Sequence, residues 1–234
     1  MKRMIQPTLL VVTLAFAAAP FITPPFMGYD PGIFPVRIER PSVQPAGYAF
    51  AIWGLIYLWL IIHAAFGLIM RQNDPIFTKP ALPLALAVAL GTVWLAIALA
   101  APIPATLVII AMAVLAISAY IIADPDHNRW LLSAPLAIFS GWLTAAAAVS
   151  TGVIFAGYGV LSDTASALVM LVIVMAIAIT VQIKRPRMPI YGATVTWAIV
   201  GIVMSNWGLN PTVTYAAIAG AVVMAATTLI KLRR

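Results

Sequence analysis

Phe50, Trp53 and Tyr57 follow one another at spacings of three and four residues inside one apolar run, 45–63, which reads Pro-Ala-Gly-Tyr-Ala-Phe-Ala-Ile-Trp-Gly-Leu-Ile-Tyr-Leu-Trp-Leu-Ile-Ile-His. On a helix these three rings share one stripe, and Tyr48, Trp59, His63 and Phe66 gather on the opposite one. Flat aromatic walls support stacking against flat, apolar, conjugated molecules and no proton transfer. The same rings also serve as core packing or as interface anchors, because Trp and Tyr concentrate where lipid meets water. Trp53 and Tyr57 lie one to two turns past the helix start, at about 1.5 Å per residue, where the interface role weakens. Spacing alone leaves pocket lining and core packing both open.

Most other chemistry is excluded by what the chain lacks. It has no cysteine, two histidines and six carboxylates in 234 residues. No Asp, Glu, Lys or Arg stands well inside an apolar run, so there is no buried ionisable relay of the kind coupled pumps use. A metal site needs clustered His, Asp or Glu, and His127 lies in the polar stretch 124–129, far along the chain from His63. His63 alone reads first as a hydrogen-bonded or snorkelling side chain and only second as an axial ligand. No nucleophile–base pair stands out, so the expected role is not enzymatic, with a membrane enzyme acting on a bound ligand as the alternative. The hydroxyl and amide residues Thr92, Ser118, Ser140, Thr144, Ser150, Thr151, Thr194, Thr196, Ser205 and Asn206 read as helix-bonding groups, with Asn206 as a cap beside Trp207. Of seven tryptophans, Trp53, Trp94, Trp142 and Trp197 each fall inside a different apolar run. Their convergence is the structural expectation on which a binding role rests.

These residues must be positioned by helices. The chain is 64% hydrophobic and 8% charged, against about 25% charged in soluble domains. Only helices or closed barrels span lipid, and runs near 20 residues without alternation select helices. The fold class is all-α, a polytopic bundle with spans predicted at 7–27, 46–70, 80–100, 105–123, 130–154, 164–183, 189–207 and 211–232. The first is read as an uncleaved helix, although Met-Lys-Arg before 9–19 also suits a signal peptide. With eight spans, 11 of the 13 Lys and Arg residues fall on one side, leaving Arg37 and Arg40 on the other. The positive-inside rule places both termini in the cytoplasm and the Pro-rich loop 28–45 outside. The net charge of +7 is thereby spent on topology, and no nucleic-acid partner is expected because no basic stripe carries interleaved aromatics.

The run Pro45-Ala-Gly-Tyr48-Ala-Phe50-Ala-Ile-Trp53-Gly-Leu-Ile-Tyr57 resembles the second-helix signature of the tryptophan-rich sensory protein (translocator protein) family. Pro135-Leu-Ala-Ile-Phe-Ser-Gly-Trp142 is similar to the fifth-helix segment of its longer bacterial members, and Trp94 stands where a third-helix Trp is frequent, with Gly91 at the usual Asn position. The resemblance covers about residues 7–154. It implies a five-helix membrane domain at 1–154, with 155–234 as three further transmembrane helices packed on it. It implies a pocket under the first loop, lined by Tyr48, Phe50, Trp53, Tyr57, Trp94 and Trp142. It also implies a bound porphyrin, haem or sterol-like molecule, a bacterial inner-membrane location, and a homodimer as the partner besides lipid and ligand. The expected function is binding of an apolar aromatic small molecule in a sensory or ligand-handling role. The alternative is facilitated transport of a neutral lipophilic solute, for which Pro45–Trp53 and Pro189–Trp197 offer an equal spacing on two helices, as an inverted repeat would.

Overall fold

The computed structural model describes residues 4–232, so Lys2, Arg3, Arg233 and Arg234, which entered the charge count, lie outside the described residues. Eight α-helices account for the described chain: α1 (Ile5–Ile22), α2 (Ile52–Met70), α3 (Pro75–Ala100), α4 (Pro102–Ile122), α5 (Ser133–Gly157), α6 (Asp163–Lys184), α7 (Pro189–Asn206) and α8 (Pro211–Leu232). Two 3-10 turns, Pro31–Ile33 and Gly47–Ala51, punctuate the loop between α1 and α2. The all-helical expectation holds, and seven of the helices are long and apolar enough to cross a membrane. The remaining one, α7, is 18 residues long, about 27 Å at the helical rise. It is less apolar because Thr194, Thr196, Ser205 and Asn206 sit on it among buried neighbours.

Several boundaries differ from those predicted, each for a local reason. α1 stops at Ile22 instead of running to 27, because Thr23 is extended and residues that precede proline avoid the helical region. α3 begins five residues early: the Asp74 carboxylate accepts from the Ile76 N–H at 2.9 Å and Pro75 takes the first helical position, where its missing N–H costs nothing. α5 begins at Ser133, not at 130, because α2 side chains claim the preceding carbonyls. Trp59 Nε1–H donates to the Trp130 oxygen at 2.8 Å, and His63 Nδ1–H to the Leu131 oxygen at 2.7 Å. The start of the second span is a 3-10 turn, so Tyr48 and Phe50 precede α2 itself.

The first five helices close into a ring. α1 packs on α2 and α3, α3 on α4, α4 on α5, and α5 back on α2. α6 and α7 lie along the outer side of α5, and α8 closes against both. α5 is therefore the shared axis, and 20 of its 25 residues are buried. Its composition permits this, since small residues let helix backbones approach closely in lipid. A methyl at Gly141 would sit 2.9 Å from the Tyr191 carbonyl oxygen and 3.1 Å from Thr194 Cβ on α7, one at Gly152 would sit 3.0 Å from Val43 and Met170, and one at Gly157 would overlap the Phe34 ring. Gly141 thus seats α7, while Gly152 and Gly157 seat the α1–α2 loop. Gly141→Ala forces two backbones apart, so thermal unfolding in detergent should show a loss of about 1–3 kcal/mol.

Candidate functional site

The stripe predicted on α2 faces inward. Trp53 stacks on Tyr57 at 5.3 Å between centroids and 17° between planes. Trp142 of α5 meets Trp53 edge-on at 6.1 Å and Phe50 at 5.7 Å. Phe16 of α1 closes the group, 5.8 Å from Trp53 and 5.0 Å from Tyr57. Across the ring, Trp94 of α3 meets Phe26 edge-on at 5.2 Å. Edge-to-face contacts of this kind each add about 0.5–1.5 kcal/mol beyond burial, which holds the rings as fixed walls.

Between them lies a cavity of about 200 Å³, walled by Phe50, Trp53, Tyr57, Trp94 and Trp142 together with Phe16, Phe26 and Pro20. A smaller lobe of about 60 Å³ shares Phe26, Phe50, Trp94 and Trp142 and continues beneath the α1–α2 loop, whose Gly28, Tyr29, Gln44 and Pro45 roof it. Of the six residues expected to line a pocket, five meet around the one cavity. Tyr48 does not: it is 47% exposed and packs edge-on against Trp197 at 5.6 Å. Two residues before Phe50, it falls on the far side of the turn Gly47–Ala51, as it does in α-helical register. The expected fourfold convergence of tryptophans is therefore threefold. Trp197 stays outside, donating its Nε1–H to the Ala49 oxygen at 3.0 Å.

The other α2 face binds the α4–α5 connection. Trp59 lies parallel to Trp130 at 6.4 Å and His63 stacks on Phe77 at 5.8 Å. His63 is buried and spends one ring nitrogen on the Leu131 carbonyl. Among the described residues no group of three His, Cys, Asp or Glu side chains is placed to hold a metal.

Polar atoms on the cavity are few. Trp94 Nε1–H donates to the Ala105 oxygen at 2.9 Å. Trp142 is 2% exposed, and among the described residues its Nε1–H has no acceptor. Tyr29 and Ser150 line the smaller lobe, and with Thr106 behind them three hydroxyls meet at 2.6, 2.7 and 3.3 Å. Burial pushes the Tyr29 phenol up from its ordinary value against the opposing hydrogen bonds of Ser150 and Thr106, so it stays a neutral donor. Sequence reasoning passed over Phe16, Phe26 and Tyr29. Their signal is the cluster of prolines at 20, 24 and 25, which ends α1 and folds this segment back over the cavity.

Gly91, standing at the usual Asn position, is required by this packing. A methyl there would fall 2.4 Å from the Phe16 ring and 2.9 Å from Met112 Cε. Phe16 fills the space that a side chain would need, and the cavity wall is hydrocarbon where an amide would otherwise project.

The roof is fastened from the carboxyl-terminal helices. The Asp163 carboxylate at the start of α6 accepts from the Ser42 N–H at 2.9 Å and the Ser42 Oγ–H at 2.5 Å. Asn206 Nδ2 donates to the Ser42 oxygen at 2.8 Å and to the Ile202 oxygen at 2.9 Å, so it ties the loop and does not merely cap α7. Asn210 bridges Ser42 and Thr164, and the Ala46 N–H donates to the Gly201 oxygen at 2.9 Å.

Residues 8–230 match the family model described as TSPO-like protein. The matched stretch runs through α6, α7 and most of α8, well beyond residue 154, where the sequence resemblance was expected to end. No curated protein and no solved structure matches the chain.

Proposed function

The chain belongs to the TSPO-like protein family, and on that premise we propose that this polytopic membrane protein binds a flat, apolar, aromatic small molecule in the cavity between Trp53, Trp94 and Trp142. The observation that carries the reading is the cavity that Trp53, Trp94 and Trp142 line from three helices, beside which the Trp142 Nε1–H is buried without an acceptor among the described residues. A buried donor without a partner costs about 1–3 kcal/mol. A ligand that presents one carbonyl, carboxylate or ring nitrogen among conjugated carbon would recover that cost, and the rings around it would supply the stacking.

Size narrows the class. Pockets for drug-sized ligands run about 300–1,000 Å³, and the larger lobe here is about 200 Å³. A one- or two-ring aromatic fits the closed form. A tetrapyrrole or sterol requires the two lobes to merge by displacement of Phe26 and the roof, which makes the loop a lid whose closed population a ligand shifts. The function is binding, coupled to lid order, in place of catalysis. Both termini face the cytoplasm and the lid faces the opposite compartment, as the charge distribution argues, in a bacterial inner membrane.

The test is a titration of the purified chain in detergent with protoporphyrin and with haem, followed by tryptophan fluorescence. Saturable quenching is expected, weakened about tenfold in Trp53→Phe through lost stacking area and unchanged in Tyr48→Phe, whose ring lies outside the cavity. Linear quenching of equal slope in all three proteins would reduce the signal to micelle partitioning and sink the reading.

A further inference from the structure

At the end of the bundle away from the lid, the turn between α6 and α7 is held rigid from beneath. Gln182 is fully buried; its amide donates to the Arg185 oxygen at 3.2 Å and the Met188 oxygen at 3.3 Å, and accepts from the Gly192 N–H at 3.1 Å. Arg185 is 7% exposed. Its guanidinium donates to the Ile121 and Ala123 oxygens at the end of α4 and to Ser133 Oγ, and lies 4.8 Å over the Tyr120 ring. Each of these partners is neutral, so among the described residues this buried positive charge has no carboxylate in hydrogen-bond contact. Helix C-terminal carbonyls offset part of that cost. A buried cation of this kind is otherwise expensive.

The same turn walls a hollow of about 460 Å³. Lys184, Arg185, Arg187 and Lys231 line it, against a single carboxylate, Asp126. That carboxylate is 3.7 Å from Arg187, with the two side chains 65% and 66% exposed, a separation and exposure at which a pair is worth little. The remaining wall is apolar, from Ile121, Ile183 and Met188. The carboxyl ends of α4, α6 and α8 and the amino end of α7 all meet here, so helix dipoles oppose one another and the side-chain charges set the sign of the hollow. Cations converging on a hollow between helix ends, with hydrocarbon beside them, suit a phosphate group at the level of lipid headgroups.

We propose that this hollow is a second binding site, for a phosphate-bearing anion, distinct from the aromatic cavity and independent of what that cavity holds. The phosphate comes either from an anionic lipid headgroup, whose acyl chains would run along Ile121 and Ile183, or from a free phosphate or pyrophosphate of the aqueous phase. Lys184, Arg187 and Lys231 make the exchangeable contacts, and Arg185 sets the fixed field behind them.

The experiment uses the full chain in phosphatidylcholine nanodiscs, with or without phosphatidylglycerol, and separately with inorganic phosphate or pyrophosphate added. Thermal midpoint and lipid adducts in native mass spectra are read together. Phosphatidylglycerol or the free anions should raise the midpoint in a salt-sensitive way, and the apparent affinity should fall roughly 25-fold in Lys184→Gln/Arg187→Gln, at about fivefold per cation. Lys231→Gln, on a separate helix, should lose about fivefold, and Arg40→Gln on the lid should lose nothing. An effect from phosphatidylglycerol alone assigns the site to lipid; an equal effect from free phosphate or pyrophosphate assigns it to the soluble anion. Stabilisation undiminished in both the double variant and Lys231→Gln, or no stabilisation by any of the three anions, would overturn the site.

Discussion

Trp142→Phe should weaken ligand binding about tenfold while leaving the unliganded protein within about 1 kcal/mol of the parent, an unusual pairing for a fully buried tryptophan. The reason is the sign of the hydrogen-bond ledger. Loss of part of the ring leaves a void, and voids in a packed interior destabilise. In the empty protein, however, the substitution also removes a buried N–H that has no acceptor among the described residues, which recovers about 1–3 kcal/mol. The two contributions nearly cancel. Once a ligand supplies the acceptor, only the loss remains.

Trp94→Phe provides the opposite sign. Its Nε1–H already donates to the Ala105 oxygen at 2.9 Å, so the substitution removes a hydrogen bond that the empty protein makes and should lower unliganded stability by about 1 kcal/mol. Affinity should change less than in Trp142→Phe. Thermal melts and quenching titrations on the two variants separate these cases. If Trp142→Phe destabilises the empty protein as Trp94→Phe does and binds as the parent does, the Trp142 N–H is not the ligand's anchor.

The helices and most of the aromatic wall were legible in the sequence, because lipid removes the ambiguity that soluble chains carry. A bilayer demands runs near 20 apolar residues, and a helical stripe at three and four residues places Phe50, Trp53 and Tyr57 together before any tertiary contact is known. Tyr48 entered the expected lining through the family resemblance alone, since helical register already sets it opposite Phe50, Trp53 and Tyr57. Trp197 was misplaced because hydropathy shows that a residue is in a span but not which way its helix is turned. α7 is turned by α8 and by Pro45, whose Cβ lies 2.8 Å from where a methyl on Gly201 would be. Asn206 reads as a helix cap, and nothing in the local sequence sets Asp163 apart. Their partner, Ser42, is more than 120 residues away in both cases, and no local pattern announces so distant a pairing. The basic turn at 184–187 was legible as charge, but the topology argument absorbed it. The hollow that it walls exists only once α4, α6 and α8 bring their ends together.

Asp163→Ala should speed both entry and release of ligand at least tenfold while shifting the equilibrium constant much less. The α1–α2 loop roofs the smaller lobe, and in the proposed lid role it moves aside for anything larger than a small aromatic to pass. Asp163 holds it through two bonds to Ser42, one from a backbone N–H and one from a hydroxyl, and hydrogen bonds to a charged acceptor are worth about 1.5–3 kcal/mol each. With both removed, the open form gains population and the barrier to passage falls in both directions. Affinity follows only the contacts the lid itself makes with the ligand, which come from Gly28, Tyr29, Gln44 and Pro45 and return whenever the lid recloses. Asp163→Asn keeps one acceptor for the Ser42 N–H and should fall between parent and alanine. Stopped-flow quenching with protoporphyrin reads both rates. Acceleration graded from parent through Asn to Ala would give α6, α7 and α8 their role, that of a brace holding the lid of a pocket built by the other five helices. Rates unmoved by either substitution would place the entry path between helices, directly from the lipid, and leave the lid as a fixed roof.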